Sequence, residues 1–342
     1  MERFDYRRER TPEGALRAAQ SARPDGGNPL QSDAQFIAGG TNLTDYMSLG
    51  VARPKTLIDI NALRDRFAEI DGDSRRLRLG ALVRMAQAED HPAVRRDYPM
   101  IRQTLMLAAS RQIRNMASLG GNVLQRTRCE YFRELSWPCN KRIPGSGCAA
   151  LQGINRQHAV LGTSDHCVAA YPGDFAQALI ALDAVVETVG GPSGTREIPF
   201  EQLHRPPADT PHIETALRAG EMITFLVIPA GPWTRRSCYV KVRDRDSYQF
   251  ALVSAAVALH LEDGVVRDAR IALGGVATVP WRAREAEAIL KGQPLDDSTA
   301  AKAAEAAFAA ARPLAHNAFK IPIGEQTIVR ALLQARDMQV SQ

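Results

Sequence analysis

Two sets of residues in this 342-residue chain have the types and spacing to do chemistry. The first is a set of thiols. Cys129, Cys139, Cys148 and Cys167 fall within one 39-residue window, separated by nine, eight and eighteen residues, and only Cys238 lies outside it. Four thiolates complete either a tetrahedral zinc site or a cubane iron–sulfur cluster. The tight CxxC pairs that zinc favours are absent, and so is the ferredoxin spacing. Spacing therefore leaves three readings open: a cluster, a zinc ion, or ordinary buried or free thiols. His158 and His166 share the window and stay open as ligands, but four cysteines suffice and both read as local hydrogen-bonding residues.

The second set is a pair of glycine loops. Ala38-Gly39-Gly40-Thr41-Asn42 follows a strand-like run and precedes a helical one, the setting in which consecutive backbone N–H groups and a hydroxyl cradle a phosphate. Ser118-Leu119-Gly120-Gly121-Asn122 repeats that chemistry with a hydroxyl, two glycines and an amide. Either loop alone also reads as an ordinary glycine turn. Two of them on adjacent units can hold the two phosphates of one dinucleotide. Neither is the GxGxxG fingerprint, and a nicotinamide Rossmann domain is not expected.

The elements around these loops follow from periodicity. TPEGALRAAQ reads as a helix capped by Thr11, AQFIAGG as a strand ending in glycines, and TLIDI as a second strand, which makes a small α/β unit over residues 1–60. A second unit begins with RLRLGAL, passes through a helical stretch from Arg95 to Met106 and reaches ASLGGNVL; DFAQALIALDAVVETVG then resumes the regular structure as helix and strand. The cysteine window between them is an insertion, at about 123–168. Prolines 206, 207 and 211 crowd a polar segment, and the strand-like MITFLVIP ends in Pro229, Gly231 and Pro232, which sets a boundary near 230. The last region, 231–342, opens with YVKVRD, FALVSAAVALHLE and ARIALGGVA as strands and continues into alanine-rich helices from Arg282 to Ala311.

Composition narrows the function classes. The charge of +5 comes from 37 arginines and 6 lysines against 38 acids, and the arginines are scattered rather than clustered, so a nucleic-acid surface is not expected. The longest apolar runs fall well short of the roughly 20 residues of a membrane span. The N-terminus mixes acids and bases without an apolar core, so no export signal of its own is expected. Five cysteines are too few for a secreted disulfide framework.

FIAGGTNL, followed some 80 residues later by QIRNMASLGGN, is similar to the paired pyrophosphate loops of the FAD subunits of the xanthine dehydrogenase and carbon monoxide dehydrogenase family, the molybdenum hydroxylases. The likeness runs from Phe36 to Ala277 through LIDI, LRLGAL, YPGDFAQALIALDA, GEMITFLVIP, YVKVRDR and ARIALGGVA. It implies an α+β fold: two α/β subdomains of a FAD-binding domain like that of vanillyl-alcohol oxidase and the carbon monoxide dehydrogenase flavoprotein, then a C-terminal α+β domain with a three-stranded antiparallel sheet and helices. It also implies that Ile37, Ala38, Gly39, Gly40, Thr41, Asn42 and Leu43, with Ser118, Leu119, Gly120, Gly121 and Asn122, bind the FAD diphosphate, and that Ala108 lies against the cofactor.

By the same resemblance Asp174 accepts hydrogen bonds from the ribityl or adenosine part, beside its plain reading as a helix cap. Lys241 stands where the family has a basic residue near the flavin, beside its plain reading as a solvated strand lysine, and Ile223 matches an aliphatic position next to it. The chain departs from the family in Ser118 for threonine, and in Tyr171 and Gly173 for the histidine and serine of a His-Pro-Ser-Asp turn.

The insertion, with QRTRC, PCNKR, PGSGCAAL and RQHAV, resembles that of the periplasmic aldehyde oxidoreductase flavin subunits. This implies Cys129, Cys139, Cys148 and Cys167 as ligands of a [4Fe–4S] cluster. It further implies a heterotrimer in which a large subunit carries the molybdenum cofactor and a small subunit two [2Fe–2S] clusters. The flavin chain collects electrons for an external acceptor, and the complex is periplasmic if a partner bears the export signal. The rival expectations are a stand-alone FAD-dependent oxidoreductase and a zinc-stabilised binding module.

Overall fold

A computed structural model describes residues 1–20, 32–190 and 194–340. Strands β1 (Asp5–Arg8), β2 (Ala34–Ile37) and β3 (Thr56–Asp59) form a small parallel sheet in the order β1-β3-β2. Parallel strands need a crossover, and the helix Pro12–Gln20 supplies the first, opened by Thr11, whose Oγ1 accepts the Gly14 N–H at 3.1 Å. The β2 strand ends at Ile37, so the first glycine loop hangs from its carboxyl end and runs into the helix Leu43–Ser48.

The second sheet joins β4 (Ile70–Gly72), β5 (Arg76–Gly80), β6 (Val185–Val189), β7 (Thr195–Pro199) and β8 (Met222–Pro229) in the order β4-β5-β8-β6-β7, every pair antiparallel. Helices Met85–Asp90, Pro92–Asp97, Pro99–Met106 and Phe175–Ala181 belong to the same layer system. Proline opens two of them, at the first position, where its missing N–H leaves nothing unpaired.

The third sheet has three long antiparallel strands, β9 (Ser237–Val242), β10 (Val253–Glu262) and β11 (Val265–Gly274), plus a two-residue edge, β12 (Trp281–Arg282). Alternation explains why β10 is apolar throughout. Ala256 and Ala258 face the core shared with the second sheet's helices, whereas Ala255, Val257 and Leu259 face the C-terminal helices. That second core is closed by Arg284–Leu290, Asp297–Phe308 and Lys320–Arg336; the last lies beyond the alanine-rich stretch and carries Pro322 in its first turn, where proline is tolerated. Among the described residues no helix is long and apolar enough to cross a membrane.

Candidate functional site

The two glycine loops meet, and glycine is what lets them. A Cβ on Gly39 would fall 2.1 Å from the Met116 carbonyl oxygen, and one on Gly120 2.9 Å from the Ala81 methyl. Gly40 has φ +74°, the left-handed region that side chains resist. Between the loops opens a cleft of about 690 Å³, inside the range of roughly 300–1,000 Å³ usual for small-molecule and cofactor pockets. Ile37 to Leu43, Ser118, Gly120, Gly121, Asn122 and Ile223 all line it. Leu119 does not; it is fully buried beneath the second loop.

The loops are not equivalent. Amides of the second are engaged: Leu119 N–H donates to Val83 O at 2.9 Å, Gly120 to Ala81 O at 2.8 Å, Gly121 to Ser118 Oγ at 3.3 Å and Asn122 to Ser118 O at 2.9 Å. Among the described residues the Gly39, Gly40, Thr41 and Asn42 amides have no hydrogen-bond partner. Successive free amides form an anion-binding concavity, so the first loop holds the donors and the second the wall. Asn122 adds a polar atom: its Oδ1 is buried without a partner among the described residues. Free amides and a glycine-lined cradle fit a dinucleotide diphosphate, and the orphaned carbonyl oxygen fits a hydroxyl donor of its sugar part.

The far wall is the segment from Ile213 to Met222, which sequence reasoning did not single out. Glu221 fixes it, taking Arg196 at 2.6 and 2.8 Å, the Thr188 hydroxyl at 2.6 Å and the Arg218 N–H at 2.7 Å. The only sequence signal was the glycine-acid step Gly220-Glu221 before β8.

Asp174, Lys241 and Ala108 form a separate knot that does not line the cleft. Lys241 Nζ lies 2.7 Å from Asp174 Oδ2 and donates to Leu107 O at 3.0 Å, while the Tyr239 hydroxyl donates to Asp174 Oδ1 at 2.5 Å. Asp174 makes no side-chain cap bond to the helix Phe175–Ala181. Lys241 is no solvated lysine, since its side chain is 1% exposed. Burial, with the Asp174 charge beside it, drives the Tyr239 hydroxyl well above its ordinary pKa. Ala108 is buried next to Leu107, its carbonyl taken by Arg114 at 2.8 Å.

The cysteine insertion is stapled at its root. Val123 O accepts from the Tyr171 hydroxyl at 3.0 Å and sits 2.9 Å from His204 Nε2, and the Thr127 hydroxyl donates to Ala170 O at 3.0 Å. The insertion also borrows a core: Phe132 and Cys139 pack with Tyr46, Met47, Val51 and Leu57 of the first subdomain. Arg128 and Arg133 both pair with Asp45, at 3.1 and 2.6 Å, and Arg128 donates to Asn42 Oδ1. Arg133 foremost holds the Asp45 carboxyl below its ordinary pKa, against the opposing effect of burial.

Burial pushes the Cys129 thiol up to about 12 and Cys167 up to about 11, and raises Cys139. Backbone amides pull the other way. Those of Phe132 and Tyr131 act on Cys129, those of Arg142 and Lys141 on Cys139, and that of Ala169 on Cys167. Such bonds favour the thiolate over the thiol, and hydrogen bonds to sulfur are a means by which a protein tunes an iron–sulfur cluster. Cys139 and Cys167 lie within electrostatic reach of each other and of both Cys129 and Cys148. Among the described residues no three His, Cys, Asp or Glu side chains come together as a ligand set for one metal ion. His158 Nε2 lies 3.2 Å from Cys129 Sγ, and His166 lies 3.5 Å from Asp209. Four thiols, two of them buried and two half-buried, fit a cluster whose ligands bind separate irons.

Residues 2–231 match the family described as the FAD binding domain in molybdopterin dehydrogenase, and residues 238–335 match the carbon monoxide dehydrogenase flavoprotein C-terminal domain. The chain belongs to the molybdopterin dehydrogenase FAD-binding family. Of its relatives, the aldehyde oxidoreductase FAD-binding subunit PaoB of Escherichia coli strain K12 is 47% identical over 337 residues, 98% of this chain and 99% of that one. The nicotine 6-hydroxylase medium subunit of Paenarthrobacter nicotinovorans is 29% identical, over 80% of this chain and 78% of that one. Quinoline 2-oxidoreductase from Pseudomonas putida 86 shares the fold of this FAD-binding chain at a TM-score of 0.73 and 23% identity, covering 98% and 97% of the two chains. The α+β architecture expected from sequence is the one shared with these relatives, and this molybdopterin dehydrogenase chain is an oxidoreductase subunit.

Proposed function

We propose that this chain is the flavin and iron–sulfur subunit of a heterotrimeric, molybdenum-dependent aldehyde oxidoreductase. What carries the reading is near full-length identity of 47% to an aldehyde oxidoreductase FAD-binding subunit, joined to a cleft whose first loop offers four free amides. Its parts are residues 1–60 and 61–230 for the flavin, with the insertion at about 123–168, and 231–342 as the C-terminal domain. FAD binds with its diphosphate on Gly39 to Asn42 and against Ser118 to Asn122, and Ile223 forms part of the apolar floor. Asp174 and Lys241 act as a pre-formed, buried ion pair beside Ala108, near the cofactor. Cys129, Cys139, Cys148 and Cys167 hold one [4Fe–4S] cluster.

FAD supplies the ability to take electrons singly and release them singly or in pairs. A large subunit with the molybdenum cofactor oxidises the aldehyde, a small subunit with two [2Fe–2S] clusters donates electrons to this chain, and an external acceptor removes them. The complex is periplasmic when a partner supplies the export signal. Metal and flavin analysis of the co-purified complex tests the assignment. One FAD and about four irons per chain are expected beyond the partners' clusters, with both flavin and insertion disturbed and that iron lost in Cys139→Ser. Zinc in place of the iron, or an unchanged low-temperature EPR signal in Cys139→Ser, would refute it.

A further inference from the structure

The carboxylate of Glu214 sits between two cations. Arg126 grips it with Nε at 2.9 Å and Nη2 at 2.8 Å, and Lys141 Nζ lies 3.0 Å away while also donating to Pro211 O at 3.0 Å. All three side chains are largely buried, at 11%, 18% and 12% exposure for Arg126, Glu214 and Lys141. Arg126 and Glu214 line the glycine-loop cleft, and the same two residues share a second, smaller cavity with Lys141 and Cys167. This triad therefore touches both candidate cofactor sites.

The three groups sum to one surplus positive charge. A buried cation without a full counter-charge is costly, so the surplus needs an anion nearby. Lys141 faces the cage side, where Cys167 lines the same small cavity. On the other side Arg126 lines the cleft, and its Nη1 is buried with no partner among the described residues.

We propose that the Arg126–Glu214–Lys141 triad is an electrostatic bridge between the two cofactor sites, in which Lys141 raises the reduction potential of the cluster and Glu214 moderates that effect. The inference rests on the cluster reading given above. One-electron reduction of the cluster adds one negative charge to the cage. A neighbouring ammonium favours that change, and a carboxylate that neutralises the ammonium weakens the favour. Lys141 and Glu214 are positioning residues, acting on the cluster through charge rather than as ligands.

The test is an EPR-monitored redox titration of the co-purified complex carrying Lys141→Met, Lys141→Arg or Glu214→Gln. Lys141→Met should lower the reduced-to-oxidised cluster ratio at fixed potential by at least tenfold, equivalent to a midpoint shift of about 59 mV for one electron. Glu214→Gln should move the midpoint the opposite way, and Lys141→Arg should restore it. A purely structural triad moves both neutral variants in the same direction or neither. Unmoved midpoints with iron retained, or parallel shifts, overturn the proposal. If Lys141→Met cannot hold iron, Glu214→Gln decides alone, and an unmoved or lowered midpoint there overturns it. Wild-type protein without iron defeats the cluster assignment instead.

Discussion

A single methyl group separates a working junction of loops from a broken one. Gly39 faces the Met116 carbonyl at a distance no side chain can share, and the neighbour is backbone, which cannot swing aside. Gly39→Ala should therefore part the loops and strip FAD from the purified complex, read as flavin absorbance per protein. Gly121→Ala is a gentler change, because its Cβ meets only the Ser118 hydroxyl, at 2.9 Å. It should retain most of the flavin. Equal flavin content in wild type and Gly39→Ala would mean that the cofactor does not use this junction. At Gly40 the penalty is of another kind: φ +74° imposes on the order of 1–3 kcal/mol of backbone strain on any larger residue, whatever space surrounds it.

At the scale of elements, one arginine organises the start of the insertion. Arg142 Nη1 donates to the carbonyls of Tyr131, Phe132 and Glu134 at 2.9, 2.7 and 3.1 Å, and Nη2 to those of Leu135, at 3.3 Å, and Trp137. The loop 134–137 has no helix or sheet ladder of its own, so this guanidinium stands in for one. Arg142→Met should leave those carbonyls without their donor, increase limited proteolysis between residues 130 and 140, and lower iron content more than flavin content; a proteolysis pattern like wild type would show that the loop is held by its apolar contacts alone. Sequence made the cysteine window and both glycine loops legible because each is a local cluster of distinctive residue types. It could not reveal the carbonyls that Arg142 gathers, which leave no trace in residue identity. Nor could it reveal the Arg126–Glu214 pair, 88 residues apart, or the wall from Ile213 to Met222, which follows a proline-crowded polar segment. The plain reading of Lys241 as a solvated strand lysine, kept beside the place near the flavin that the resemblance implies, fails because its burial depends on Asp174, 67 residues away.

Stability of the whole molecule should depend on pH through the groups that tie its parts together. His204 sits under the root of the insertion, its ring 4.8 Å from Tyr171 and 5.4 Å from Phe200, and burial pushes its pKa down to about 4 from 6.5 despite the opposing pull of Val123 O. The unfolded chain therefore binds this proton first. Its contribution is complete above about pH 6.5 and declines by about 1.4 kcal/mol per pH unit toward pH 4. Glu214 acts lower down: burial would raise it, but Arg126 and Lys141 hold it at about 2, so its contribution is complete above about 4.5 and fades below. Thermal unfolding of the complex between pH 7 and 4.5 should show the first decline, and His204→Gln should flatten it; an equal slope in that variant assigns the loss elsewhere. Assembly sets a further requirement. On the function proposed above, the flavin chain receives its electrons from clusters on another chain and has no reaction to perform by itself; it matches 99% of a relative that is itself one subunit of an oxidoreductase. Co-expression with the neighbouring genes should yield a complex of three different chains in which aldehyde oxidation is measurable. The isolated flavin chain, at matched FAD content, should oxidise aldehydes at least a hundredfold more slowly, or roughly 2.7 kcal/mol higher in barrier. An active monomer would overturn the division of labour and return the chain to the class of free-standing flavoenzymes.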